Sequence, residues 1–269
     1  MNFKIEELGN DEKYLEIRTL KNSFSDFKKS YTSGSLIVIN FDDLNLGTRL
    51  YGKNQKETKN IQRQNCKQFL KMYRLCKKVI KFLKRKKFNF DGALYVAGLG
   101  KKKNNNDYML VSMLELRFCT PLTQKFLGVI NSACDFIDKE NSLNSMCEFK
   151  GNKCRKQREN NLDKVNGCCV PSCKYSKEGS PCPTKCLSCK IFMCKYLTDM
   201  GYCFYPSFMP ILKVHTSFFE RFVILGSLFR SQKQTIGFLR FIRLIYVVYI
   251  AMIVLLAFIL GYWVYTLIV

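Results

Sequence analysis

Histidine is almost missing: His215 is the only one in 269 residues. A single imidazole leaves histidine-based acid–base or nucleophilic catalysis with one candidate and no visible partner, and no Ser/His/Asp arrangement can be identified. The setting "ILKVHTSFF" fits a half-exposed residue better than a metal ligand. Acidic side chains are also scarce, 21 Asp and Glu against 44 Lys and Arg, which leaves a formal charge of +23. That balance predicts attraction to polyanions, either nucleic acid or anionic lipid headgroups, without choosing between them. Lys, Asn and Ile are abundant together, a bias that an AT-rich gene also produces. The first twenty residues lack an apolar core of the kind a secretory signal needs. The glycines of "AGLGKKK" do not make a phosphate loop, because Tyr95 and Lys102 stand where that motif needs glycine and a hydroxyl residue. No internal repeat is visible.

Hydrophobic residues make up 47% of the chain, enough for one or two domains with real cores. They are unevenly spread. From Leu244 to Val269, "LIYVVYIAMIVLLAFILGYWVYTLIV", there is no charged residue, and about 20 apolar residues suffice to cross a bilayer as a helix. Tyr262, Trp263 and Tyr265 lie near the far end, where amphipathic rings favour the headgroup layer. Arg230, Lys233, Arg240 and Arg243 precede the run. The positive-inside rule therefore places the bulk of the chain on the cytoplasmic side of a single C-terminal span, as a tail-anchored protein.

Upstream, residues 1–32 read as a polar arm. "SLIVINF" (35–41) reads as a buried strand, and Asp42 and Asp43 at its end suit a metal ion or, just as often, the turn that closes a strand. Cys66, Phe69, Tyr73, Cys76, Val79, Ile80 and Leu83 recur at steps of three and four, which predicts a helix over about 57–86. "GALYVAGLG" and "YMLVSMLELRF", on either side of "KKKNNND", read as a hairpin. "TPLTQKFLGVINSACDFIDKE" has helical spacing, with Thr120 at the N-cap and Pro121 first. The expected fold is thus an α+β domain of order β-α-β-β-α over residues 33–140. A cysteine-rich module spans 147–203. An amphipathic helix over 217–230 carries Phe218, Phe222, Leu225 and Phe229 on one face, and the transmembrane helix occupies 244–269. That amphipathic helix either packs on the cysteine module or lies in the membrane interface.

The module holds ten of the 14 cysteines: Cys147, Cys154, Cys168, Cys169, Cys173, Cys182, Cys186, Cys189, Cys194 and Cys203. Its connectors are short and polar, so it needs staples rather than hydrophobic burial. In a reducing compartment, dense cysteines point to metal or redox chemistry. With the opposite topology they would form up to five disulfides. Thiolates suit zinc, with an iron–sulfur cluster as the alternative, and both need about four ligands. Cys186-x₂-Cys189 has the spacing at which two sulfurs reach one metal from a turn. Cys182-x₃-Cys186-x₂-Cys189 matches the spacing of the radical SAM cluster motif, but it follows no strand and no repeated βα units trail it. Cys66, Cys76, Cys119 and Cys134 read as buried hydrophobes.

"GCCVPSCKYSKEGSPCPTKCLSCKIFMC" resembles the YkgJ-type zinc- or iron-chelating domain. Cys168 and Cys169 match that family's cysteine doublet, Cys173 and Cys182 its spaced pair, and the stretch from Cys189 to Cys194 its closing element, with Lys190 where the family carries arginine. The resemblance implies metal chelation.

Basic charge gathers upstream of the module, with 17 Lys or Arg between Tyr51 and Lys103 against Glu57 and Asp91. Lys67, Lys71, Arg74, Lys78, Lys81 and Arg85 form a stripe behind the apolar face of the predicted helix, and Lys101, Lys102 and Lys103 extend it. This is the polyanion-binding candidate, with a solvated helix face as the plain alternative. No helix-turn-helix, RRM or KH pattern accompanies it. Together these features predict a membrane-anchored binding or adaptor protein. A metal-dependent redox enzyme and a membrane-tethered nucleic-acid-binding protein are the rivals.

Overall fold

The computed structural model describes residues 14–18, 24–32, 36–40, 50–87, 94–96, 105–118, 120–121, 124–143, 149–150, 153–161, 186–226 and 232–268. They fall into two compact units, Met1–Ser217 and Phe218–Val269.

The first unit is built around helix α2, Gln55–Arg85. Its start follows from "NQKE": Asn54 accepts from the Glu57 amide at 3.0 Å, and the Glu57 carboxylate accepts from the Lys53 amide at 2.8 Å. Amide donors that a helix end leaves unpaired are thereby satisfied. The seven apolar residues predicted to face inward are all buried, joined by Met72, Thr58 and Gln62. At the far end Phe82 receives the rings of Phe24, Phe27 and Tyr31 edge-on, at 5.4 to 6.2 Å between centroids. Two of these rings belong to the short helix α1, Phe24–Ser30, which α2 thereby holds.

The β-α-β-β-α order does not describe this unit, which is predominantly helical. Strands β1 (Tyr14–Arg18), β2 (Leu36–Asn40) and β3 (Leu94–Val96) pair in parallel, in the order β1-β2-β3. Parallel neighbours need crossovers, which the intervening stretches containing α1 and α2 supply. The expected hairpin is not formed. Its second half is helix α3, Asn105–Phe118. Met109, Leu110, Val111, Met113, Leu114 and Leu116 are all buried, so the apolar positions cover more than half of the α3 circumference rather than the narrow stripe of a surface helix, with Tyr108, Ser112 and Glu115 on the remaining side. From Leu114 to Phe118 apolar and polar residues alternate as on a strand, so the local pattern favours neither element, and burial decided here for helix.

Helix α4, Lys125–Leu143, begins several residues after the expected Thr120 cap. It lies against α3, and Gly128 permits the approach, since a Cβ there would stand 2.4 Å from Leu116 Cδ2. Asn105, first in α3, ties the two together by donating to the Phe136 carbonyl at 3.1 Å and the Glu140 carboxylate at 2.7 Å. Burial raises the Glu140 pKa, and the hydrogen bond from Asn105 opposes that shift. A two-residue hairpin, β4 (Phe149–Lys150) with β5 (Lys153–Cys154), leads into α5, Arg155–Glu159. Three short helices complete the unit: α6 (Leu187–Ile191), α7 (Lys195–Asp199) and α8 (Pro210–His215). Helix α8 packs against α2, α3 and α4. It brings His215 to within 3.0 Å of the Met113 carbonyl and edge-on to Tyr73, so the only histidine is buried as packing rather than half-exposed.

The second unit consists of α9, Phe218–Leu225, and α10, Gln232–Ile268. Helix α10 is one continuous helix of 37 residues, about 55 Å long at 1.5 Å per residue against a hydrocarbon layer of about 30 Å. It therefore starts well before the charge-free run at Leu244 and carries Arg240 and Arg243 on a helical stem. Its apolar stretch, of mean hydropathy 2.8, is wholly unburied. A soluble core helix would bury that surface, so α10 is a candidate membrane span.

Candidate functional site at the cysteine-rich segment

Cys186 is the N-cap residue of α6, and Cys189 lies one turn into the same helix. Cys186 Sγ is 3.1 Å from the Ser188 hydroxyl. Burial pushes the Cys186 thiol up, but hydrogen bonds from Ser188 and from the Cys189 amide and thiol outweigh it, so its pKa is lowered. A thiolate is the nucleophile and the metal ligand, and a group poised this way reaches that form more readily than an ordinary cysteine. Cys189 itself is exposed.

The neighbouring thiols differ. Cys194 is half-buried at the N-cap of α7. Cys203 is 8% exposed, and burial raises its pKa, so it is held as a neutral thiol in packing. Cys154 ends β5, next to α5. The Tyr196 hydroxyl of α7 donates to the Glu159 carboxylate of α5, which links α5, the helix that follows Cys154, to α7, the helix that follows Cys194. Cys147, Cys168, Cys169, Cys173 and Cys182 lie outside the described residues. Among the described residues no three His, Cys, Asp or Glu side chains come together to hold a metal ion. Cys66, Cys76 and Cys134 are buried thiols of the core, as their apolar positions predict; Cys119 lies outside the described residues.

Two features fix this segment to the helical core, and sequence reading missed both. Lys190, between Cys189 and Ile191, is buried and reaches Asp138 on α4 at 2.5 Å. Downstream, residues 201–205 are strapped to the first turns of α2. Thr58 Oγ1 donates to the Gly201 carbonyl at 2.6 Å and accepts from the Gly52 amide at 2.7 Å. Gln62 donates to the Cys203 carbonyl at 2.7 Å and accepts from the Tyr205 amide at 3.0 Å. The one available signal was the buried polar pair Thr58 and Gln62 on an otherwise apolar helix face, since polar groups inside a protein imply partners.

The basic stripe is where the periodicity puts it. Lys67, Lys71, Arg74, Lys78, Lys81 and Arg85 are all exposed on α2, while Lys101, Lys102 and Lys103 lie outside the described residues. No protein-family model matches the chain, and comparison with curated proteins and with solved structures finds no similar one.

Proposed function

We propose that this is a membrane-anchored binding protein whose cysteine-rich segment chelates a thiophilic metal, zinc in the first place. The observation that carries the reading is the Cys186/Cys189 pair, two thiols sharing hydrogen bonds at the start of one helix, with the Cys186 pKa lowered. Two sulfurs are half of a tetrahedral set, and the other cysteines of 147–203 supply the rest. The buried Lys190–Asp138 pair holds that helix against the core, which favours a fixed structural site over a mobile one. The cations from Arg230 to Arg243 favour a cytoplasmic, reducing location for these thiols.

The test is metal analysis, an absorption spectrum and thiol counting on the full chain purified anaerobically in detergent. The expected result is about one zinc for every four metal-bound thiolates and no visible colour. The double variant Cys186→Ser with Cys189→Ser is expected to lose a full equivalent. Brown protein with iron and sulfide would replace zinc by a cluster and favour a redox role. Neither metal nor titratable thiols would sink the reading and leave disulfides.

The six exposed cations on one face of α2 support a second activity, binding of anionic headgroups. Each cation near an anionic leaflet contributes about 1 kcal/mol. Reversing Lys71, Arg74 and Lys78 to Glu should therefore weaken binding of residues 1–217 to phosphatidylserine vesicles by at least about 100-fold. Salt-sensitive retention on DNA with no lipid preference would instead make nucleic acid the partner.

A further inference from the structure

Helix α9 has two opposite faces, and only one is accounted for by the fold. Glu220, Val223 and Ile224 are buried, whereas Phe218, Phe219 and Phe222 are 81%, 53% and 58% exposed. Three exposed phenylalanines on eight residues are a contiguous apolar patch, which soluble proteins avoid unless something covers it. The position of α9 on its neighbour indicates what does. Glu220 accepts from Arg243 Nε at 2.7 Å, and Arg243 is the last charged residue before the apolar run that starts at Leu244. This pair fixes α9 to α10 at the level where charge gives way to hydrocarbon. Glu220 points to Arg243 from the buried face, so the aromatic side of α9 carries no acidic group.

We propose that α9 is an interfacial helix, lying in the bilayer surface with Phe218, Phe219 and Phe222 inserted below the headgroups of the leaflet that α10 enters. The Glu220–Arg243 pair sets its depth. An amphipathic helix of this kind buries its apolar face about 5–10 Å into the boundary between headgroups and acyl chains. Its apolar area adds to the hold of the span and fixes the rotation of α10 at its entry.

The inference rests on α10 being a membrane span, and the chain carries a reporter for that premise in Trp263, its only tryptophan. The full chain is reconstituted in phosphatidylcholine vesicles brominated at one of several acyl depths. Native protein reports the span. A variant with Trp263→Phe and Phe222→Trp reports α9. The expected result for the fluorophore at position 222 is blue-shifted emission, quenched most by lipid brominated nearest the headgroup. Water-like emission without quenching overturns the inference, because the aromatic face is then in solvent. Blue-shifted emission that no brominated lipid quenches also overturns it, because protein then covers the face. Loss of quenching at position 222 alone leaves the span intact; loss at Trp263 as well removes the span itself.

Discussion

Gly201→Ala is expected to lower the stability of the first unit by about 3–4 kcal/mol, toward the upper end of single-residue effects. Two independent costs fall on this residue. Its φ is +85°, which side-chain-bearing residues rarely adopt, and a Cβ would stand 2.3 Å from the Gly52 carbonyl oxygen and 3.0 Å from the Asn54 nitrogen. Neither neighbour is a flexible side-chain tip, so relief requires backbone movement. Gly201 is also where α7 ends. Its amide bonds to the Thr198 carbonyl at 3.0 Å, and the Tyr202 amide bonds to the Leu197 carbonyl at 2.9 Å. That pattern is the Schellman closure, which wants glycine in the left-handed position. Displacing it pulls on the Thr58 and Gln62 hydrogen bonds that hold residues 201–205 on α2. Chemical unfolding measures the loss, and the thiol of Cys203, now buried, should react faster with a thiol reagent. Gly237→Ala is the control. It lies in a helix with open space around it, so alanine should be neutral or stabilising by up to about 1 kcal/mol. A Gly201→Ala protein within about 1 kcal/mol of the parent would show that the strap is not what fixes this segment.

Sequence legibility here follows the periodicity of each element. Helix α2 was readable because Cys66 through Leu83 mark one face over five turns while lysines mark the other, and no strand produces that pattern. The apolar run after Leu244 was readable because length and absence of charge leave a membrane helix as the economical reading. Helix α3 was not readable, since its apolar residues follow no clear period of 3.6 and "LELRF" within it alternates as a strand does. The expected hairpin failed with it, and "LYV" pairs in parallel with Leu36–Asn40 instead. Parallel pairing joins segments distant in sequence, and no local residue pattern announces it. The cysteine pair at Cys186 and Cys189 was visible as spacing. Its attachment to the core was not, because Lys190 lies 52 positions from Asp138 and nothing in either neighbourhood names the other.

That attachment carries the second large expected effect. Asp138→Asn should cost about 2–3 kcal/mol, whereas Lys190→Met should cost less than about 1 kcal/mol. The asymmetry arises from burial: the Lys190 side chain is 3% exposed and the Asp138 side chain 29%. Removing the carboxylate leaves an ammonium in the interior without a counter-charge, and this accounts for most of the penalty when one partner of a buried pair is lost. Removing the ammonium leaves a carboxylate that water already reaches, and methionine fills the volume of the lysine stem. Solvent at Asp138 keeps the first cost below the usual range for fully buried pairs. The double variant should therefore be more stable than Asp138→Asn alone, which denaturant unfolding of the three proteins would read directly. Equal, small losses from both single changes would mean that the pair behaves as a surface bridge and that Leu187, also buried, holds α6 in place. Lys190 adjoins Cys189 in the same five-residue helix, so the consequence reaches the thiols. If α6 is held through Asp138, and Cys186 and Cys189 bind zinc as proposed, zinc retention should weaken in Asp138→Asn and recover in the double variant. Metal affinity would then follow the placement of the helix rather than the presence of the charge.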